Sequence, residues 1–297
     1  MIWIVGDKGM LGSELRREFK RSGLAFVGSD RDIDFLDPRA LETFAAANAV
    51  TAIVNCAAYT AVDKAEDEPE LCARLNIEGP ENLAKLANKI DARLIHISTD
   101  YVFDGKSTKP YHEEDLVNPT GVYGRTKAEG ERVIFAAFPK AIVLRTAWLY
   151  GEFGNNFVYT MLKLMRKKDE IGVVTDQRGS PTWAKDLAKS IVTVLNNQEE
   201  KCGIYHFTDE GNISWYDFAL KIYEKGKQLD IIERNCRIVP LTTDQYPAKV
   251  RRPGYSVLSK EKIRKEFGII VLDWDESLSN FIDELVLNWS ALLGRIS

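Results

Sequence analysis

Short apolar runs rich in β-branched residues alternate with longer amphipathic stretches through the first half of the chain. The apolar runs predict strands over Ile2–Val5, Leu24–Val27, Ala52–Asn55, Arg93–Ser98 and Ala141–Arg145. Helices are predicted to begin near Met10, Pro38, Asp67, Tyr123 and Asn155, the third with a kink or break at Gly79-Pro80. Strands that alternate with helices in this way indicate an α/β fold with a parallel sheet and crossover helices.

The regular alternation weakens after about residue 150. Gly203–Phe207, Ser214–Lys225 and Ser259–Phe267 mix short strands with amphipathic helices. We therefore assign residues 1–150 to one α/β domain, to which the chain returns around residues 170–200. Residues 151–297 are assigned mainly to a smaller C-terminal α/β lobe. We expect the two lobes to share a cleft rather than to be independent domains.

The composition narrows the classes of partner. The 44 acidic residues against 40 basic ones are too balanced for a nucleic-acid groove or a membrane-binding face, so neither partner is expected. The four cysteines include no C-x-x-C pair, so the sequence encodes neither a zinc site nor a disulfide framework. The N-terminus lacks the features of a signal peptide, and no apolar run reaches the length of a membrane span. We therefore expect a cytoplasmic protein.

A glycine turn follows the first predicted strand and opens the first predicted helix. Gly6, Gly9 and Gly12 have a G-x-x-G-x-x-G spacing, with Met10 and Leu11 inside the turn. Glycines in this context allow a tight turn, the approach of the backbone to a pyrophosphate, and close packing of helix on strand. The free N–H groups of the helix N-terminus then favour phosphate. The turn predicts a Rossmann-type, doubly wound parallel sheet, and its spacing resembles that of the extended short-chain dehydrogenases.

The end of the second predicted strand bears on the choice of cofactor. Asp30 lies near the interval at which an acidic residue hydrogen-bonds the adenosine ribose, which favours NADH. Ser29 and Arg31 flank it and could receive the 2′-phosphate of NADPH, so the choice between NADH and NADPH stays open. A little further on, Asp37 is predicted to cap the helix that begins at Pro38.

Tyr123 and Lys127 are four residues apart, so they project from one face of a helix. Reduction of a ketone by hydride requires a proton donor at the developing alkoxide, and Tyr123 can supply that proton. A free phenol has a pKa near 10, which a neighbouring ammonium and the positive nicotinamide of an oxidised cofactor would lower. Lys127 can also reach the hydroxyls of the nicotinamide ribose.

Hydroxyl groups are predicted where the fourth strand ends, at the edge where open α/β sheets bind ligands. Thr99 could hydrogen-bond the substrate carbonyl and help hold the developing oxyanion. Ser98 is the alternative, because neighbouring residues of a strand point to opposite faces and only one of them can face the cleft.

Together these segments resemble the dTDP-4-dehydrorhamnose reductase family of the extended short-chain dehydrogenase/reductase superfamily. The resemblance covers nearly the whole chain and is carried by these segments: Gly6–Gly12, Val54–Glu66, Ile97–Gly105, Asn118-Pro119, Tyr123–Lys127, Leu144–Gly151, Gly154–Phe157, Asp176–Thr182 and Arg252–Ser256. It implies reduction of the 4-keto group of dTDP-4-dehydro-6-deoxy-L-mannose to dTDP-L-rhamnose, with NADPH or NADH as the hydride donor.

The resemblance also implies roles for individual residues. It makes Thr99, Tyr123 and Lys127 the catalytic trio. Residues implied to contact the cofactor are Asp34 and Phe35 at the adenine, and Ala57, Ala58 and Tyr59 near the pyrophosphate and ribose. Residues implied to contact the dTDP-sugar are Thr99, Asp100, Trp148, Asn156 and Arg252. The indole of Trp148 suits a flat apolar wall against the sugar, although a core tryptophan is the alternative. The planar fork of Arg252 suits a diphosphate.

Two further features of the family are weighed against this sequence. Some bacterial members hold magnesium at a subunit interface through carboxylates; here Glu14 matches, but Lys185 stands where a second acid is expected, so no metal is predicted. A homodimer is compatible with the sequence, which leaves the oligomeric state open. The competing functions are a reductase or epimerase of another nucleotide sugar, and a non-catalytic regulatory subunit, against which the intact trio argues.

Overall fold

The computed structural model describes residues 1–247, 249–250, 252–287, 294 and 296. Its strands, in chain order, are β1 (Ile2–Val5), β2 (Phe26–Ser29), β3 (Ala52–Asn55), β4 (Arg93–Thr99), β5 (Ile142–Thr146), β6 (Leu149–Tyr150), β7 (Glu170–Val174), β8 (Arg178–Gly179), β9 (Thr182–Trp183), β10 (Gly203–His206), β11 (Ile213–Ser214) and β12 (Arg237–Leu241). Its α-helices are α1 (Met10–Arg21), α2 (Pro38–Ala47), α3 (Val62–Ala65), α4 (Pro69–Ala73), α5 (Gly79–Lys89), α6 (Val122–Ala137), α7 (Phe157–Lys167), α8 (Ala184–Asn196), α9 (Trp215–Gln228), α10 (Glu261–Phe267) and α11 (Trp274–Leu287).

Six parallel strands form the central sheet in the order β10-β5-β4-β3-β1-β2. The chain moves outward from β1 to β2 and then crosses to β3 on the other side of β1. This reversal is the switch point at which doubly wound sheets open a crevice at the carboxyl ends of their strands. The predicted α/β, Rossmann-type parallel sheet is confirmed.

The second strand lies two residues later than predicted, at Phe26–Ser29. The N–H of Leu24 instead donates to Phe19 O, which closes the end of α1, and pairing with β1 begins at Phe26. The predicted start is therefore wrong because the last turn of the helix uses the first apolar residue of the run.

The chain does not break at Gly79-Pro80, where a kink or a break was predicted. A π-helical turn, Arg74–Glu78, joins α4 to α5, and the chain stays helical through Gly79. Pro80 has no N–H to donate to the preceding turn, and a wider turn accommodates that loss without ending the helix. Backbone of this turn approaches α6 closely, since a Cβ at Gly130 would lie 2.2 Å from Asn76 O.

Alternate residues of the buried strands pack against helices on the two faces of the sheet. Ile4, Val54 and Leu144 pack with α1 and α8 on one face. Trp3, Ile53 and Val143 pack with α2, α5 and α6 on the other. Strands that are apolar on both faces are typical of a parallel sheet covered by two helical layers.

The second half of the chain builds another apolar core and also returns to the first sheet. The second core joins α7, α9 and α11 around Tyr150, Phe218 and Phe281. Between these elements, α8 packs against α1, and β10 extends the central sheet beside β5. In the part of the chain that the structure describes, no helix combines the length and the apolar character needed to cross a membrane.

Candidate active site

A cleft of about 900 Å³ lies over the carboxyl ends of β1, β3, β4 and β5. It brings together most of the residues that the sequence singled out. These are Gly6, Gly9, Met10, Leu11, Asp30, Asp34, Phe35, Ala57, Ala58, Thr99, Asp100, Tyr123, Lys127 and Trp148. The cleft therefore runs from the glycine turn at one end to the Tyr-x-x-x-Lys pair and the tryptophan at the other.

The glycine turn is built by contacts that exclude side chains. Gly6 has a φ of +80°, and a Cβ there would lie 2.8 Å from Ala57 N. A Cβ at Gly12 would lie 2.1 Å from Gly6 O, so Gly12 lets α1 pack directly behind the turn rather than lining the cleft. The first N–H groups of α1 thus open onto the cleft, where they suit a pyrophosphate.

Asp30 and Arg31 both line the cleft where β2 ends, but Ser29 does not. Ser29 is buried, and its Oγ accepts a hydrogen bond from Trp3 Nε1 at 2.9 Å. Its hydroxyl is therefore used inside the fold and is not presented to a 2′-phosphate. Further along, Asp37 caps α2 as predicted, accepting the Arg39 N–H at 2.9 Å.

Helix α6 brings Tyr123 to Thr99. The helix begins at Val122, whose N–H donates to Glu66 Oε1 at 2.7 Å. A Cβ at Gly124 would lie 2.3 Å from Tyr101 O, so this glycine lets the first turn of α6 approach the loop after β4. Tyr123 hydrogen-bonds Thr99, and burial raises the pKa of its phenol, which keeps it protonated.

Ser98 is used differently from Thr99. Its hydroxyl donates to Glu131, which also forms a buried ion pair with Arg145 at 2.6 Å. Ser98 is thus bound to a buried network, while Thr99 sits beside the Tyr123 phenol.

Asp100 is a buried carboxylate at the floor of the cleft. It accepts the Thr99 hydroxyl at 2.9 Å and also hydrogen-bonds Ser256, which comes from the far end of the chain. Burial raises the pKa of Asp100 to about 6. Ser256 was not assigned a role from the sequence, although it ends one of the segments that carry the family resemblance.

Trp148 combines a strained backbone with a stacked side chain. Its φ of +47° is in the left-handed region, which is costly for a residue with a Cβ and common at ligand sites. Its indole stacks on Trp215 with ring centroids 3.6 Å apart, and Gly179 lies against it. The two readings of Trp148 are thus both partly right: the ring packs within the second lobe and also lines the cleft. Trp215 had no signal in the sequence, and Gly179 was not assigned a role, although it lies in one of the segments that carry the family resemblance.

Besides Gly12, three predicted site residues do not line the cleft. Asn156 caps α7, accepting the Tyr159 N–H at 3.1 Å and donating to Gly151 O, while Asn155 takes the place in the cleft. Its position directly before a helix could have indicated the cap. The phenol of Tyr59 donates to Glu68. Arg252 pairs with Asp63 at 3.3 Å and also interacts with Tyr101, which lines the cleft.

The residues around Glu14 do not fit a magnesium site. Arg17 pairs with Glu152, and Lys185 pairs with Glu284. Both cations also act on buried Glu14, where they oppose the rise in pKa caused by burial. One guanidinium and one ammonium group thus already interact with these three carboxylates. A magnesium ion would need the same carboxylates as ligands, without competing cations beside them.

This doubly wound sheet, with a glycine turn and a Tyr-x-x-x-Lys pair in one cleft, defines a Rossmann-type reductase. Residues 1–287 match the family model described as the RmlD substrate binding domain, and the chain belongs to that family. It is 40% identical over 287 residues to a dTDP-4-dehydrorhamnose reductase of Aggregatibacter actinomycetemcomitans, covering 93% of this chain and 96% of that protein.

Solved structures of similar proteins have the same fold. A dTDP-4-dehydrorhamnose reductase of Clostridium acetobutylicum is 41% identical, with a TM-score of 0.89 and coverage of 96% of this chain and 99% of the other. A second, from Bacillus anthracis and solved in complex with NADP, is 33% identical, with a TM-score of 0.89 and coverage of 95% and 98%.

Gly179→Ala should disturb the tryptophan wall. The new Cβ would lie 2.5 Å from Trp148 Cε2, so this cleft-lining indole must shift from its present position. We expect KM for the sugar substrate to rise about tenfold or more, with little change in the Kd of the cofactor. Gly254→Ala is the matched control, because its Cβ would have its nearest neighbour at 3.5 Å. Equal KM values for the two variants would show that Trp148 has room to move without consequence.

Asp100→Asn should change how stability depends on pH. Because the folded-state pKa of Asp100 is raised from 3.8 to about 6, its favourable contribution is present below pH 4 and is lost as pH rises through 6. Wild type should therefore lose on the order of 3 kcal/mol of unfolding free energy across this range that the variant keeps. Denaturant unfolding at several pH values measures the difference.

Asp104→Asn is the control for that experiment, because the pKa of Asp104 is shifted in the opposite direction to that of Asp100. Hydrogen bonds from the Lys106 N–H lower the pKa of Asp104, so its contribution is present at higher pH and lost on acidification. Parallel pH profiles for wild type and Asp100→Asn would contradict the cost assigned to burying Asp100.

Proposed function

We propose that this protein reduces the 4-keto group of dTDP-4-dehydro-6-deoxy-L-mannose to dTDP-L-rhamnose with NADPH or NADH, as a dTDP-4-dehydrorhamnose reductase. The observation that carries the proposal is the meeting of Thr99, Tyr123 and Lys127 in the cleft that begins at the glycine turn. The names of the relatives, and the NADP bound to one of them, support the same substrate class and cofactor.

The reduced nicotinamide supplies the hydride when it is bound, and the residues of the cleft do the rest. The N–H groups at the start of α1 hold the pyrophosphate, and Asp30 bonds the adenosine ribose. Asp34 and Phe35 lie at the adenine. Lys127 orients the nicotinamide ribose.

Tyr123 acts as the general acid. In the free site its phenol hydrogen-bonds Thr99, and the substrate carbonyl oxygen takes its place between the two hydroxyls. The Thr99 hydroxyl, which donates to Asp100 in the free site, turns to donate to the developing oxyanion, and Tyr123 transfers its proton to that oxygen. Because burial raises the pKa of Tyr123, the phenol is in the protonated form that reduction needs.

The sugar is placed against the second lobe. Trp148, backed by Trp215, offers an apolar face to the deoxysugar ring and its methyl group. Asp100 lies beside the carbonyl-binding hydroxyl of Thr99. We assign the amide contact to Asn155, which lines the cleft, in place of Asn156. Arg252 is proposed to leave Asp63 and pair with the diphosphate.

This assignment gives the lobes separate tasks. Residues 1–150, together with α8 and β10, bind the cofactor, and the rest of residues 151–297 mainly bind the dTDP-sugar. A cytoplasmic location follows from the cofactor and the nucleotide sugar on which the protein acts. A homodimer remains part of the proposal.

Tyr123→Phe tests the proposal directly. It removes the proton donor but keeps the ring, so turnover of the dTDP-4-keto sugar should fall by roughly 10²- to 10⁴-fold while the cofactor Kd changes little. The assay follows oxidation of reduced nicotinamide. Tyr101→Phe is the control, since Tyr101 lies edge-on to Tyr123 in the same cleft but makes its hydrogen bond with Arg252. Near-normal turnover by Tyr123→Phe would remove the phenol from the mechanism, and no turnover by wild type would favour the regulatory function.

The choice of cofactor should be divided between Asp30 and Arg31. The carboxylate repels a 2′-phosphate and the guanidinium attracts it, each by about 1 kcal/mol near a solvated surface, so wild type should use NADH and NADPH within about tenfold. Asp30→Ala should shift the kcat/KM ratio toward NADPH, and Arg31→Ala toward NADH, each about fivefold. Ser29→Ala should leave the ratio unchanged, because Ser29 faces Trp3. A wild-type preference beyond a hundredfold would show that one of the two charged side chains does not reach the ribose.

A further inference from the structure

A strap formed by residues 249–250 and 252–256 runs beside the catalytic end of the cleft. Its second half is held by backbone and buried contacts. The N–H of Tyr255 donates to Gly105 O at 3.0 Å. Ser256 is buried and hydrogen-bonds Asp100, which lines the cleft. This half of the strap is therefore fixed against the loop that follows β4.

The first half of the strap is held instead by ion pairs at the surface. Lys249 pairs with Asp67, and both of these side chains are at least half exposed. Arg252 pairs with Asp63 through a contact of 3.3 Å, with 32% and 45% of the two side chains exposed. Exposed ion pairs contribute little to stability, because water screens the attraction and ordering two long side chains costs entropy. Each cation is therefore free to exchange its carboxylate for a stronger partner.

The guanidinium of Arg252 has a donor to spare. Its Nη2 contacts Asp63, and the side chain also hydrogen-bonds Tyr101. Its Nε is buried and has no hydrogen-bond partner among the residues that the structure describes. A guanidinium binds a phosphate group through two parallel N–H donors, which makes such a pair stronger than a single contact with a carboxylate. A diphosphate can therefore use bonding capacity that Asp63 leaves unused.

Asp63 lies next to the cleft without lining it. It belongs to α3, and the residue before it, Val62, lines the cleft. Its Oδ1 accepts the N–H of Val250 at 3.3 Å, while its Oδ2 faces Arg252. Tyr101, the other partner of Arg252, does line the cleft. The guanidinium thus contacts one residue inside the cleft lining and one outside it.

We propose that Asp63 is a positioning residue that holds Arg252 outside the diphosphate position in the free protein and competes with the diphosphate for its guanidinium. The inference rests on the proposed function, since the competing anion is the diphosphate of the dTDP-sugar. Because the strap beyond Arg252 is fixed, the exchange moves the side chain of Arg252 and leaves the fold of the strap in place.

The exchange keeps the charge of Arg252 paired in both states. The affinity for the dTDP-sugar is then set by the difference between two anions rather than by the strength of the new pair alone. An anion that offers a single weak contact gains nothing over Asp63, whereas a diphosphate does. Asp63 therefore lowers the affinity for every ligand that must recruit Arg252, and it favours those that bind the guanidinium by two donors.

Asp63→Asn tests the competition. An asparagine keeps an Oδ1 that can accept the N–H of Val250 and loses the charge that attracts Arg252. In calorimetric titration the Kd for dTDP should fall about fivefold, which is the strength of one exposed ion pair. KM for the dTDP-4-keto sugar should fall by a similar factor and kcat should stay within about twofold, since the gain is the same in the ground state and the transition state.

Two controls make the test specific to Arg252. The double variant Asp63→Asn/Arg252→Ala should bind dTDP no more tightly than Arg252→Ala alone, because without the guanidinium there is nothing to compete for. Asp67→Asn removes a carboxylate of similar exposure, four residues further along, from an ion pair with Lys249. Its Kd for dTDP should stay within about twofold of the wild-type value, since Lys249 is not assigned to the diphosphate.

Three results would overturn the proposal. A gain in affinity that persists in the Arg252→Ala background, or an equal gain in Asp67→Asn, would show that Asp63 simply repels the ligand. Weaker binding by Asp63→Asn would show that Asp63 holds the strap in its binding conformation. An unchanged Kd would show that the ion pair with Arg252 does not oppose binding. Asp63 is half-exposed and asparagine has nearly its shape, so the variant should fold as wild type does, which thermal unfolding checks.

The outcome is separable from that of the proposed function. Wild type that binds dTDP but does not reduce the dTDP-4-keto sugar would contradict the reductase function and leave the competition for Arg252 open to confirmation by the same titrations. Normal turnover with an unchanged Kd in Asp63→Asn would do the reverse. An absence of dTDP binding by wild type would overturn both.

Discussion

The buried ion pair between Arg145 and Glu131 is the interaction on which the site depends. It joins β5 to α6, and Ser98 ties the same carboxylate to β4. Both charged side chains are almost fully buried, and removing either one would leave the other uncompensated, at a cost of about 3–5 kcal/mol. The pair therefore fixes how α6 lies along the sheet. Tyr123 and Lys127 are carried on the first turns of that helix, so their positions relative to Thr99 follow from it.

The residues proposed to act in the reaction are held in states that are costly for the isolated side chain or backbone. Burial raises the pKa of Asp100 and of Tyr123 and lowers that of Lys127, so each group is shifted toward its neutral form. Trp148 adds a left-handed backbone. These shifted pKa values and the left-handed backbone of Trp148 occur together in one cleft. The rigid sheet and its two helical layers provide the stability that such unfavourable local states require. The outcome is a site prepared for a polar but uncharged substrate carbonyl.

The two ends of the cleft are held by different means. The glycine turn depends on close backbone contacts, since the space around Gly6 and Gly12 leaves no room for a Cβ. The opposite end depends on side chains. Its hydroxyl, carboxylate and lysine groups are positioned by hydrogen bonds among β4, α6 and the segment that contains Ser256. Substitutions at the first end act by steric exclusion, whereas substitutions at the second act through charge and proton position.

Features set by neighbours along the chain could be predicted from the sequence. The alternation of strands and helices, the spacing of Gly6, Gly9 and Gly12, the cap at Asp37, and the shared helix face of Tyr123 and Lys127 all depend on local geometry. The sequence alone therefore determined the fold class and brought most of the cleft residues to attention.

Features set by residues distant in the chain were decided only by the tertiary structure. Ser29 is withdrawn from the cofactor because it meets Trp3 across two strands, and Asp100 gains Ser256 from the far end of the chain. The buried ring of His96 meets the side-chain amide of Asn55, in another strand, at 3.0 Å. A hydroxyl, amide or imidazole has the same bonding capacity wherever it stands in a sequence. Which of its partners it uses is fixed only when packing brings that partner within about 3 Å and excludes water from the rest.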